Sequence, residues 1–323
     1  MSTLLVIGGT GFFGKSILDC FKHGKLEKWG IKRVIAMSRH AESLRHKVPQ
    51  LISSGVELYS ADITTTAILP SADVVIHAAA STDAARYISS PLQEQHNIQS
   101  GVYNYCAHAK KFHAKSRILY VSSGAVYGKQ PSGMTHIPED YVVRDLTELP
   151  DGKRDYAAAK FDAEEAVKNL GQQGLSVSIA RCFAFVGPWL PRDQHFAIGN
   201  FIEDGLRGRP INVKAKKAVY RSYMYADDLV EWMMTIAFHA GPECPVYNVG
   251  SDQAVLMGDL AWLVAHEFGV DASIPEITDS DVDRYIPSIE KAKRELGLKL
   301  RHDLISAILN SVSEIKCNNI MAP

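Results

Sequence analysis

No stretch of the 323 residues stays apolar for the roughly 18 positions that a membrane helix needs, and LLVI at the start lacks the long apolar core of a secretion signal. Charge of one sign is not in excess either. The 35 Lys and Arg stand against 36 Asp and Glu, leaving no global field to draw in a nucleic acid or an anionic membrane. The five cysteines (Cys20, Cys106, Cys182, Cys244, Cys317) are scattered, never in CxxC spacing, and read as reduced thiols. The twelve histidines form no HxxxH and no Cys/His cluster, so no metal set is expected. These absences predict a cytoplasmic protein that uses no metal, membrane or nucleic acid, although a small anionic ligand can still be held locally. Internal repeats and low-complexity tracts are also lacking, so the chain is read as consecutive units.

The chain is long enough for one large α/β domain with an appended lobe. Up to residue 181, short runs rich in Val and Ile (TLLVIG, KRVIAMS, VELYSA, ADVVIHAA, SRILYVSS, LSVSIARCF) alternate with helix-compatible segments. That alternation predicts a doubly wound parallel sheet covered on both faces. Long helices are expected over about 86–110 and 153–171, and either could build a homodimer interface or simply pack. After residue 185, prolines at 188, 191, 210, 242 and 245 break the pattern. The expectation is a dinucleotide-binding unit over 1–181 and a smaller mixed α/β substrate lobe over 182–323, some of whose segments return to the first unit.

The chemistry concentrates in two places. Gly8-Gly9-Thr10-Gly11-Phe12-Phe13-Gly14 follows the first strand and opens a helix. Gly8 allows a tight turn, Gly11 lets a pyrophosphate approach the backbone, Gly14 allows close helix–strand packing, and the helix N-terminus faces the negative charge. At the end of the second strand, where an Asp or Glu would bind the ribose hydroxyls of NAD, stand Ser38, Arg39 and His40. An arginine holds a 2′-phosphate by paired charge-assisted hydrogen bonds, so NADP(H) is favoured over NAD(H) unless Arg39 is only a solvated residue past a strand. Asp62, after the third strand, can accept from an adenine amino group or cap the next helix. The second place is YAAAK: Tyr156 and Lys160 at i and i+4 share a helical face, and a cation there should favour the phenolate.

Together these residues resemble the extended short-chain dehydrogenase/reductases, particularly the nucleotide-sugar epimerases, dehydratases and reductases. The likeness includes HAAAS (77–81), Asn97, YVSSGAVYG (120–128), YAAAK, RCFAFVGP (181–188), RSYMYADDL (221–229), YNVGS (247–251) and RYIPSIEKAKRELGL (284–298). It implies a catalytic Ser123, Tyr156 and Lys160. Ser123 would donate to the substrate oxygen, Tyr156 would exchange a proton with it, and Lys160 would hold the nicotinamide ribose. The implied cofactor contacts are Gly8, Gly11, Phe12, Phe13, Gly14, Ser38, Arg39, Asp62, Ile63, Ala78, Ala80, Tyr156, Lys160 and Cys182. Arg221 matches an arginine on the nucleotide pyrophosphate, and Arg284 is a second candidate. Either could instead pair with a carboxylate. Thr82, Ser123, Ala184, His195 and Asn200 are expected to line the sugar pocket.

Departures from that pattern sort the activities. The family's 4,6-dehydratases place Asp and Glu directly after the catalytic Ser or Thr, and here Gly124 and Ala125 stand there, neither able to move a proton. Ala184 replaces a substrate-touching Asn in RCFAFVGP. With Arg39 favouring NADP(H), the expectation is one-way NADPH-dependent reduction of the 4-keto group of a nucleotide-activated 4-keto-6-deoxy sugar. A narrower likeness, to bacterial reductases of dTDP-linked sugars for surface polysaccharides, agrees with this. The alternatives are a nucleotide-sugar 4-epimerase that holds NAD tightly and, outside the enzymes, a dinucleotide-sensing binding protein.

Overall fold

The computed structural model describes residues 2–80, 90–142, 146–149, 151–194, 196–318 and 320. The Val- and Ile-rich runs become strands β1 (Ser2–Ile7), β2 (Ile31–Ser38), β3 (Val56–Ser60), β4 (Val74–His77), β5 (Arg117–Ser123) and β6 (Ser176–Cys182). Between them lie helices α1 (Phe12–Lys22), α2 (Leu44–Lys47), α3 (Pro91–Phe112) and α4 (Asp151–Gln172). The helix expected from residue 86 starts at Pro91, because Ser90 is non-helical at φ −149° and a proline at the first helical position gives up no hydrogen bond; residues 86–89 lie outside the described residues.

The second half begins with β7 (Phe185–Val186) and α5 (Ala197–Leu206), then β8 (Ile211–Asn212), β9 (Lys217–Arg221) and β10 (Met224–Tyr225). It continues through α6 (Ala226–Phe238), β11 (Val246–Val249), β12 (Val255–Leu256), α7 (Met257–Phe268), β13 (Ala272–Ser273) and β14 (Asp279–Tyr285), ending with α8 (Glu290–Leu296) and α9 (Leu304–Cys317). Among the described residues no helix is long and apolar enough to cross a membrane.

Seven strands form one parallel sheet in the order β11-β6-β5-β4-β1-β2-β3. Alternation along each strand gives the sheet two apolar faces. Leu4, Val6, Ala36, Ile76 and Leu119 point to one side, where α1 and α6 bring Ile17, Leu18, Leu229, Trp232 and Met233. Leu5, Ile7, Ile35, Val75, Ile118 and Tyr120 point to the other, against Val102, Tyr105, Ala163 and Val167 of α3 and α4. Each fully buried side chain of this size contributes roughly 1.5–3 kcal/mol. The two long helices also hold each other, Gln99 donating to Asp162 Oδ2 at 2.7 Å.

A third core joins Val186, Phe201, Tyr225, Leu260, Val264 and Ile308 in the second half of the chain. Beside it β9 pairs antiparallel with β12 and parallel with β14. Phe12 packs against both this core and the sheet's first face. Strand order reverses at β1 and β4, so a crevice opens at their C-terminal ends, where ligands of such sheets bind.

Candidate active site

The glycine turn bridges β1 and α1 at that crevice. Gly8 has φ +100°, the left-handed region, and a Cβ there would meet Ala78 O at 2.7 Å, so the turn can press against the end of β4. Gly14 corrects the expectation of helix–strand contact: a Cβ on it would lie 2.3 Å from Gly9 O, so it packs on the turn itself. Gly9, missed in the sequence, is the residue that abuts β2, with Ala36 Cβ at 2.7 Å from its notional Cβ.

Gly11 is different in kind. A Cβ added there would meet only Gly8 O, at 3.4 Å, so its outer face is open. It is the N-cap of α1, without a side-chain cap and without an acidic residue in the first turn. The first N–H groups of a helix have no intrahelical acceptor, and the uncapped turn therefore suits a pyrophosphate. Phe12 and Phe13 offer it backbone N–H groups only, because their rings turn inward onto Phe185, with centroids 6.3 and 5.4 Å away.

At the end of β2, Ser38 Oγ is buried without a hydrogen-bond partner, and Arg39 is exposed and in no ion pair among the described residues. An orphaned hydroxyl beside a guanidinium that forms no ion pair among the described residues, its charge felt only by Asp62, fits the phosphate- or hydroxyl-bearing ribose of a dinucleotide. Asp62 caps its own turn, accepting from Thr64 N–H and Oγ1, both at 2.9 Å. That turn is fixed to α3 by Asn104, which donates to the Ile63 and Thr66 carbonyls at 2.9 and 2.8 Å. Ala78 N–H donates to Ile7 O at 2.8 Å, and the chain runs on through Ala80 to the edge of the described residues.

The other wall is built by β5, α4 and β6. Ser123 ends β5, and its Oγ accepts from Ala125 N–H at 3.2 Å and hydrogen-bonds the Tyr156 phenol. Lys160 is 3 % exposed and donates to Val121 O at 2.9 Å, with its ammonium 6.0 Å from the Tyr156 ring centroid. Burial lowers its pKa to about 8, against the opposing pull of Cys182 and Glu164. The expectation that Lys160 would make Tyr156 acidic is not met. Burial pushes the phenol up to about 12, opposed only by the Ser123 hydrogen bond, with Cys182 adding to the rise. Cys182 ends β6 beside Lys160, its thiol also pushed up to about 12 by burial.

Behind this wall lies a buried ion pair. Glu164, one further turn along α4 from Lys160, takes Arg181 Nη2 at 2.7 Å and Ser122 Oγ at 2.6 Å. The Arg181 guanidinium also lies 4.7 Å over the Tyr127 ring.

Most of the residues expected on the substrate side lie in the second half of the chain. Arg221, expected on a pyrophosphate, forks Asp283, Nη1 to Oδ1 and Nη2 to Oδ2 both at 3.1 Å, across the β9–β14 pairing. The carboxylate alternative thus holds for Arg221. Arg284 stacks on Tyr220 at 4.1 Å. Asn200 donates to Gln194 O at 2.6 Å and leaves a buried Oδ1 without a partner, while Ala184 serves the backbone, its carbonyl accepting from Met224 N–H at 3.1 Å. Thr82 and His195 lie outside the described residues. A residue missed in the sequence, Tyr285, brings its hydroxyl to 3.4 Å from Ser123 Oγ. Phe183, also missed, covers Gly124: a Cβ there would sit 2.7 Å from its ring.

Comparison with known proteins agrees with this arrangement. UDP-glucuronic acid decarboxylase 6 of Arabidopsis thaliana is 28% identical over 311 residues, covering 93% of this chain and 86% of the relative. UDP-glucuronic acid decarboxylase 1 of Danio rerio is 26% identical over 91% of this chain and 68% of its own length. The fold matches UDP-glucose 4-epimerase of Thermotoga maritima, with a TM-score of 0.79 at 21% identity over 98% of this chain and 99% of the other. It also matches a dTDP-glucose 4,6-dehydratase from Streptomyces venezuelae, with a TM-score of 0.80 at 20% identity over 98% of each. A family model spans residues 4–250, from the glycine turn through the Tyr–Lys helix to β11, and the chain accordingly belongs to the NAD dependent epimerase/dehydratase family.

Proposed function

We propose that this enzyme reduces the 4-keto group of a nucleotide-activated 4-keto-6-deoxy sugar, dTDP-linked by preference, with NADPH, in the synthesis of bacterial surface polysaccharide. The observation that carries the choice of NADPH is Arg39, exposed and without an ion-pair partner among the described residues, beside the unpartnered Ser38 hydroxyl. NADPH typically enters a reaction as reductant and leaves oxidised. When bound, the cofactor supplies the hydride to the carbonyl carbon. Ser123 donates a hydrogen bond to the carbonyl oxygen, and Tyr156, held protonated at neutral pH, delivers its proton there. Lys160 spends one of its three N–H bonds on Val121 O, leaving the others for a ribose hydroxyl.

The surroundings of Ser123 speak against eliminations. Gly124 and Ala125 carry no acid, and the Phe183 ring leaves no room for one at 124. The relatives named UDP-glucuronic acid decarboxylases favour a second reading, a redox-neutral nucleotide-sugar enzyme that retains NAD, such as a 4-epimerase. A screen of NADPH and NADH oxidation over dTDP-, GDP-, CDP- and UDP-linked 4-keto sugars separates the two. NADPH consumption with one of these supports reduction; stoichiometric NAD in the purified protein and product without net cofactor turnover would select the second. We also infer a boundary near 181/182 between the cofactor and substrate units, a cytoplasmic location, and a homodimer through α3 and α4, whose Tyr103 and Phe161 are 49% and 44% exposed.

A further inference from the structure

We propose that Tyr285 is a positioning residue that biases Ser123 toward donating its hydrogen bond to the substrate oxygen; this deepens the reductase reading and rests on it. Tyr285 closes β14, 162 residues after Ser123, and its ring packs on Phe183 in a tilted arrangement, with centroids 4.6 Å apart. The backbone just beyond it is tied down. Ile286 N–H donates to Gln130 Oε1 at 3.0 Å, and the Ile286 carbonyl accepts from Ile137 N–H at 2.9 Å. The hydroxyl is therefore held in place by the fold.

A serine hydroxyl has one proton and two lone pairs. Ala125 N–H occupies one lone pair of Ser123. The Tyr285 proton has two acceptors within reach, Ser123 Oγ at 3.4 Å and the Cys182 carbonyl at 3.5 Å. When it goes to Ser123, both lone pairs are filled, and the serine proton is left to point at Tyr156 and the ketone between them. Without the Tyr285 hydroxyl, the second lone pair opens and Ser123 can accept from Tyr156 instead. Part of the enzyme then offers the ketone no serine proton. The titratable and charged groups that face Tyr285 are Tyr156 on α4, Cys182 on β6 and Arg221 on β9, with Lys160 behind them facing Tyr156 and Cys182, and Tyr285→Phe removes none of these groups.

Tyr285→Phe keeps the ring on Phe183 and removes only the oxygen. The expected result is a kcat lower by about tenfold with KM within about twofold, and no further loss when Tyr285→Phe is added to Ser123→Ala. A second readout needs no substrate. In protein carrying 13C-labelled tyrosine at pH 7, Tyr285→Phe should move the Tyr156 Cζ resonance as that phenol changes from accepting to donating. An unchanged kcat, losses that simply add to those of Ser123→Ala, or an unmoved Tyr156 resonance would overturn the proposal. A wild type inert toward every keto sugar would bring down the reductase reading instead, and the resonance would then decide the role of Tyr285.

Discussion

Lys160 carries a charge into a place that resists it, and the cost can be read from how stability depends on pH. Burial lowers the ammonium from its ordinary 10.5 to about 8, so between those values the unfolded chain holds a proton that the folded chain has released. Stability attributable to this group therefore rises with pH through that window. At about 1.4 kcal/mol per pKa unit, burying Lys160 costs the fold about 3 kcal/mol at pH 7, where it stays charged, and less than about 1 kcal/mol at pH 10, where the folded chain has released the proton. Lys160→Met removes the charge, keeps much of the volume, and also forfeits the bond to Val121 O, a loss common to both pH values. Denaturant unfolding of the two proteins at pH 7 and pH 10 isolates the charge. The wild type should gain about 2–3 kcal/mol relative to Lys160→Met on going from the lower to the higher pH. Parallel profiles, or a gain in the opposite sense, would mean that the ammonium is not buried as described and would undo the account of the Tyr–Lys wall.

Replacing Arg39 with Glu should raise KM for NADPH roughly 10- to 100-fold, the worth of one or two charge-assisted hydrogen bonds, and leave KM for NADH within about twofold; equal loss with both cofactors would remove the 2′-phosphate argument. Glu164→Ala strands Arg181 in the interior and should lower unfolding free energy by about 3–5 kcal/mol, visible in a denaturant midpoint, whereas a change below about 1 kcal/mol would show that solvent reaches the pair. Asp283→Asn frees the Arg221 guanidinium from a partly exposed partner. Calorimetry with the nucleoside diphosphate should show binding tighter by roughly two- to fivefold, and weaker binding would count against Arg221 as a phosphate ligand.

The sheet was legible because its strands are buried on both faces and so spell near-continuous runs of Val and Ile, and the glycine turn and Tyr156–Lys160 were legible because spacing alone places them. Glu164 was not singled out, although it lies one helical turn beyond Lys160 on the same stripe, and nothing in the spacing names Arg181 as its partner. Tyr285 and Asp283 were not. They meet Ser123 and Arg221 across 162 and 62 residues, and only the pairing of β14 with β9 brings them near. The direction of the Tyr156 shift was misread for a related reason: i,i+4 spacing reports a neighbouring cation, but enclosure comes from three separate elements and has no local signature. Gly9, not Gly14, takes the contact with the neighbouring strand, because motif position does not reveal which backbone lies opposite.

The seventh strand of the sheet comes from late in the chain. β11 pairs with β6 only after more than sixty intervening residues have been placed, Val246 opposite Ile179 and Val249 opposite Cys182. During synthesis, β6 must therefore wait with one rim unsatisfied, able to recruit a wrong strand, until the ribosome has released the polypeptide past Val249. Chains stalled or cut before that residue should be prone to aggregate, and a library of successive C-terminal truncations should regain solubility in a single step rather than gradually.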